Sequence, residues 1–162
     1  ALNRSLNLAM VNLGVTLGLE EVQKQFELLT GRKPRNQFPS FLLGAEPMSP
    51  IEVSELYSNF ASGGFNLKPK TVIGVLDSAG APLSHHSIVL KQTINPVISN
   101  TLNRSLELTM RRGTGRFSSF AKSGVAGKTG TTNDNRDSWF AGFDDNKLAV
   151  FWVGRDLSLI HI

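Results

Sequence analysis

The residues best suited to chemistry stand together in Gly127-Lys-Thr-Gly-Thr-Thr132. Lys128 supplies a compact positive charge, and the hydroxyls of Thr129 and Thr131 can each donate and accept. Gly127 and Gly130 carry no Cβ, so a ligand or another backbone can come close to the main chain. Residues two apart in a strand share a face, which puts Thr129 and Thr131 on one side. A strand of this make-up is suited to binding an anion. The runs that follow, Ser138-Trp-Phe-Ala-Gly-Phe143 and Lys147-Leu-Ala-Val-Phe-Trp-Val153, are β-branched and aromatic and read as two further strands.

Several other function classes find little support. The net charge of +4 is scattered, with Arg111-Arg112 and Arg32-Lys33 as its densest spots, so no basic stripe for nucleic acid emerges. Cysteine is absent, which removes disulfides and thiolate zinc sites. His85, His86 and His161 fit no common ligand spacing, so no metal or other cofactor is expected. No apolar run approaches the roughly 20 residues of a membrane span. At 162 residues, 40% of them apolar, the chain can bury the core of one domain or of part of one. It begins Ala1-Leu2-Asn3 without a methionine, as a piece of a longer polypeptide would.

The elements that must position the lysine strand follow from periodicity and punctuation. Leu8, Val11, Val15 and Leu19 are helically spaced and predict a buried helix closed near Gly18. A second helix starts with Glu20 and Glu21, carries Val22, Phe26 and Leu29, and stops at Gly31. Residues 31–48, with Pro34, Pro39 and Pro47, are expected to be irregular apart from a short buried piece at Phe41-Leu42-Leu43. Ser49, Pro50 and Glu52 form a capping box that opens a helix running to about Ala61. Thr71–Leu76 and Leu83–Leu90 are expected to pair as a hairpin about Asp77-Ser-Ala-Gly80. Asn95-Pro96 caps an amphipathic helix that ends at Gly113 with Arg111 and Arg112 in its last turn. Residues 113–125 read as loop. Helices first, a hairpin between and strands last predict an α+β, or mixed α/β, fold.

Two motif families compete for Gly127-Lys128-Thr129. A phosphate-cradling loop needs glycine at position 122, which is lysine, and must lead into a helix, whereas aromatic strands follow here. The other family comprises the penicillin-recognising serine acyl-transferases, with Ser-x-x-Lys, Ser-x-Asn and Lys-Thr-Gly in that order. Ser5-Leu6-Asn7 supplies the second motif and Lys128-Thr129-Gly130 the third. Around them, Leu2-Asn-Arg-Ser-Leu-Asn-Leu-Ala9, Val11-Asn-Leu-Gly14, Leu43-Gly-Ala45 with Ser49-Pro50, Ala61-Ser-Gly-Gly64, Arg112-Gly-Thr-Gly-Arg116 and Ser138-Trp-Phe-Ala-Gly142 through Val153-Gly-Arg-Asp156 all bear the resemblance. The chain resembles the transpeptidase domain of class A penicillin-binding proteins over residues 1–156, its C-terminal part, with 157–162 expected to be a non-family tail.

The resemblance implies an incomplete penicillin-binding-protein/β-lactamase-like fold. It also implies a bacterial cell-wall enzyme that cross-links peptidoglycan stem peptides ending in D-Ala-D-Ala, works on lipid-linked precursor and is acylated by β-lactams. The intact protein is expected at the extracytoplasmic face of the cytoplasmic membrane, anchored through a region upstream of this chain. Ser5 would relay a proton to the leaving amine, Asn7 would hold the substrate amide, and Lys128 would tune its neighbours and attract the substrate carboxylate. Thr129, Gly130, Thr131 and Thr132 would bind the substrate, with the Thr131 amide as an oxyanion donor. The nucleophile motif should precede Ser5, where only four residues stand. The lone Ser-x-x-Lys, Ser119–Lys122, is out of order and in an expected loop, so it is rejected as nucleophile and the chain alone is expected to be inactive. A D,D-carboxypeptidase or β-lactamase relative and a non-catalytic peptide-binding module are the alternatives.

Plainer roles exist for the same residues. Ser5 or Asn7 could cap the first helix, Thr131 and Thr132 could be ordinary strand residues, and Lys128 a solvated edge lysine. The aromatic residues from Trp139 to Trp152 read as packing, Arg116, Arg136 and Asp137 as loop ion partners with Arg136 near enough to touch substrate, and His85 and His86 as surface hairpin residues.

Overall fold

The computed structural model describes residues 1–121, 123–132 and 136–154; Lys122 of the rejected Ser-x-x-Lys pattern, the end of the family-like Val153–Asp156 run and the expected tail at 157–162 lie outside them. A 3-10 turn, Leu2–Arg4, leads into helix α1 (Asn7–Leu17) and helix α2 (Leu19–Thr30). A second 3-10 turn, Pro39–Leu43, precedes α3 (Pro50–Ala61). Four short strands follow: β1 (Phe65–Asn66), β2 (Gly74–Leu76), β3 (Pro82–His85) and β4 (Lys91–Gln92). Helix α4 (Pro96–Arg112) then leads to the antiparallel sheet β5 (Ala126–Thr131), β6 (Asp137–Phe143) and β7 (Leu148–Gly154), in that spatial order.

The sequence signals act where they were expected. The Ser49 hydroxyl accepts from the Glu52 amide while the Glu52 carboxylate accepts from the Ser49 amide, so two of the free donors at the start of α3 are satisfied. Asn95 accepts from the Val97 amide at the start of α4, and Arg111 and Arg112 occupy its last turn. The core lies between the helices and one face of the sheet: Leu106 of α4, Ala126 of β5 and Phe143 of β6 are buried together. Leu2, Tyr57, Phe60, Leu102 and Leu148 pack on them, which anchors the first turn of the chain to the sheet. Asn59 of α3 is fully buried and donates to the carbonyl of Leu29, and its side-chain oxygen accepts from the Thr93 hydroxyl. One carboxamide thus ties α2, α3 and the segment after β4 together.

The structure corrects two expectations. Helix α1 is not buried: Gly14 is its one buried residue, and Leu8 and Val15 are 85% and 67% exposed. Its apolar residues run round the whole circumference, so covering the side against Leu42 leaves the others open. The hairpin is shorter than its β-type runs, because the register shifts between Val75 and Leu76 and pairing stops at His85. Its turn is held by the Asp77 carboxylate, which accepts from the amides of Ala79 and Ala81. The β1–β4 pairing was not legible, since two-residue strands carry no periodicity.

Candidate active site

Among the described residues strand β5 is the outermost of its sheet, and the phase of its ladder decides which backbone groups face away from β6. The Thr132 amide donates to the Asp137 carbonyl at 3.1 Å. Because facing residues alternate along an antiparallel ladder, the partner pairs Thr131–Ser138 and Thr129–Phe140 are of the type that does not exchange hydrogen bonds. The N–H and C=O groups of Thr129 and Thr131 therefore point away from β6, along the open edge.

Side chains converge on that edge. Lys128 lies on the helix-covered face with Ala126, whereas Thr129 and Thr131 lie on the opposite face. At an edge these two faces meet: the Lys128 ammonium donates to the Ser5 hydroxyl and, at 2.6 Å, to the carbonyl of Thr129. Burial lowers the pKa of Lys128 below the usual lysine range. Since Ser5 Oγ accepts from the lysine, its own proton remains free to be donated elsewhere.

Ser5 reaches the strand because of how its turn is built. It ends the 3-10 turn with φ 51° and ψ 48°, and it is the one non-glycine with positive φ among the described residues. A left-handed serine costs about 1 kcal/mol, held here by the neighbouring contacts. Leu2 anchors the turn in the core, and the Asn3 carbonyl accepts from the Thr114 amide at 3.1 Å. The residue that caps α1 is Leu6, with no side-chain cap, so neither Ser5 nor Asn7 serves the helix in that way. Asn7 is exposed in the first turn of α1, two residues beyond Ser5.

The remaining positions divide. Thr131 is exposed at the end of β5. The Thr129 hydroxyl is 2.7 Å from that of Thr114, a residue to which the sequence reading gave no role even though its Gly-Thr-Gly setting was visible. Thr132, also expected to bind substrate, follows the end of β5 and is exposed. Its hydroxyl donates to the Asp137 carboxylate and accepts from the Asp137 amide, so it closes the β5–β6 connection. Gly127 makes room for the protein itself, since a Cβ there would lie 3.0 Å from the Phe140 ring and from the Ala141 carbonyl. Gly130 likewise faces Trp139, 3.2 Å from its Cβ.

The neighbouring polar groups are structural. Asp137 accepts from the indole of Trp152 as well as from Thr132, and Arg116 lies over the Phe117 ring and donates to the Gly113 carbonyl; among the described residues neither forms an ion pair. Trp139–Trp152 and Phe140–Phe151 are cross-strand pairs. His85 and His86 are exposed at the end of the hairpin. No cluster of metal-binding side chains occurs among the described residues.

A lysine and a serine from distant parts of the chain, joined beside an open strand edge, can move a proton next to a peptide-like ligand that pairs with that edge. The family model for the penicillin binding protein transpeptidase domain matches residues 1–156. Penicillin-binding protein 1B of Vibrio cholerae is 34% identical over 159 residues, covering 96% of this chain and 20% of that protein. The 1B protein of Escherichia coli K12 is 36% identical over 160 residues, with 96% and 19% covered. The chain thus spans about a fifth of the length of these curated relatives. Penicillin-binding protein 1A of Haemophilus influenzae superposes with a TM-score of 0.83 at 20% identity, over 96% of this chain and 29% of that one, and so shares the fold. By its match over nearly all its residues, the chain belongs to the penicillin-binding protein transpeptidase domain family.

Proposed function

We propose that this chain is the C-terminal part of a serine D,D-transpeptidase domain that cross-links peptidoglycan stem peptides and is acylated by β-lactams. The observation that carries the reading is the hydrogen bond from Lys128 to Ser5 beside the free edge of β5. The nucleophile is the serine of a Ser-x-x-Lys motif upstream of Ser5. It attacks the carbonyl between the two terminal D-alanines, forms an ester and releases the last D-alanine; an amine of a second stem then takes the acyl group and frees the serine.

Each residue at the edge has a task in this scheme. Ser5 hands its free proton to the departing amine and is resupplied from Lys128, whose lowered pKa eases the exchange. Asn7 holds the substrate amide, since a carboxamide offers both donor and acceptor. The Thr131 amide, turned away from β6, serves as one oxyanion donor, a contribution of roughly 3 kcal/mol to the barrier. Thr129 and Thr131 hydroxyls hold the terminal carboxylate, and Gly130 keeps the backbone between them accessible. The substrate lies along β5 as an added strand. In the whole protein the domain faces the outside of the cytoplasmic membrane, where lipid-linked precursor is delivered.

Fluorescent penicillin tests this on the full-length protein. Lys128→Ala and Ser5→Ala should each slow labelling by about a hundredfold or more, and labelling at the wild-type rate in either variant would refute the assignment. Supplying a stem peptide with an amine acceptor then separates cross-linking from hydrolysis: a cross-linked product is expected, and hydrolysis alone would move the protein to the carboxypeptidases.

A further inference from the structure

The turn after α4 joins the two halves of the candidate site. Gly113 and Gly115 amides both donate to the Thr109 carbonyl, at 3.0 and 3.1 Å, so the turn is fastened to the buried end of the helix. A Cβ on Gly115 would lie 2.5 Å from the sulfur of Met110, which is fully buried, so the turn sits flush on the core. Between these glycines, Thr114 donates its amide to the Asn3 carbonyl, two residues before Ser5, and its hydroxyl meets the Thr129 hydroxyl.

We infer that Thr114 is a positioning residue that sets the Thr129 hydroxyl for an incoming carboxylate, an inference that rests on the transpeptidase reading above. Each hydroxyl has one proton and can accept as well as donate. With the site empty, Thr129 can give its proton to Thr114. When a carboxylate arrives, the pair reverses: Thr114 donates to Thr129, and Thr129 donates to the carboxylate. A hydroxyl that already accepts a hydrogen bond is the stronger donor, and one already held in place loses less freedom on binding. No covalent bond changes; two protons rotate about their C–O bonds. The same residue fixes the spacing between the Ser5 turn and β5 through its backbone, and that part survives any side-chain replacement.

The test measures the acylation rate constant of the full-length protein with benzylpenicillin and with its methyl ester, which lacks the negative charge. Thr114→Val should slow acylation by benzylpenicillin about tenfold and by the ester less than about twofold. Thr114→Ser should recover most of the loss. The double variant Thr114→Val/Thr129→Val should be no slower than Thr129→Val alone, because the first residue acts through the second. An equal loss with both compounds marks a general structural effect and overturns the inference, as do multiplying losses in the double variant or a wild-type rate in Thr114→Val. If the wild-type protein is not acylated by benzylpenicillin at all, the transpeptidase reading itself fails and the inference falls with it.

Discussion

Replacing Gly113 with alanine tests whether the close approach between α4 and the Ser5 turn sets the geometry of the site. A Cβ at Gly113 would lie 2.0 Å from the Asn3 carbonyl oxygen and 2.8 Å from that of Thr109. A carbon meets a carbonyl oxygen at about 3.3 Å or more, so one of the two segments must retreat by roughly 1.3 Å. Both obstacles are backbone, and the Thr109 carbonyl is held inside a helix, so the displacement falls on Asn3 and carries Ser5 with it. A misplacement of about 1 Å at a reacting group costs on the order of a hundredfold in rate, and overpacking a buried contact costs about 1–3 kcal/mol. Gly113→Ala in the full-length protein should therefore label with fluorescent penicillin about a hundredfold more slowly while its melting temperature falls by only a few degrees. Gly31→Ala is the control: its φ of 71° is strained for alanine, but a Cβ there meets nothing within 4 Å. That variant should lose stability of about 1 kcal/mol and keep its labelling rate. Wild-type labelling by Gly113→Ala, or an equal loss in Gly31→Ala, would refute the reasoning.

Two further outcomes concern the frame that holds the site. Asn59→Ala should destabilise the protein by about 2 kcal/mol in urea unfolding, since it removes two buried hydrogen bonds, one to the Leu29 carbonyl, which keeps Asn66, and one from the Thr93 hydroxyl, which keeps the Gly64 carbonyl; a loss below about 1 kcal/mol would show that water replaces it. The Ser49 amide, with help from the Ser49 hydroxyl, Arg35 and Arg32 against the opposing effect of burial, holds the Glu52 carboxyl at about 2. A carboxyl depressed in the folded state stabilises above its unfolded pKa, so this contribution should be complete above about pH 4.5 and fade as the pH falls towards 2. It is on the order of 2 kcal/mol after solvent screening, and Glu52→Gln should flatten that part of the stability–pH curve.

Local chemistry was written plainly in the chain. The capping box at Ser49, Pro50 and Glu52, the cap at Asn95 and the Asp77 turn are contacts between near neighbours, so the residues that specify them also satisfy them. The lysine strand and its two aromatic partners were legible for the same reason, since alternation and cross-strand pairing repeat along the backbone. Amino-acid order also carried the motif series from Ser5 to Lys128. What depended on distant neighbours was not legible. Helix α1 carries a core-like composition, and whether such a helix is covered is decided by what packs on it. Gly127 proved to accommodate Phe140, and Thr132 to serve Asp137, because only the register of β5 against β6 says which side chain faces which. The bond between Ser5 and Lys128 needs the Leu2 anchor, the left-handed turn at Ser5 and the approach of Asn3 to Gly113 at once. Residue types thus determined which chemistry was available, while tertiary packing decided which groups could reach one another, because hydrogen bonding demands a match of a few tenths of an ångström that spacing along a chain cannot encode.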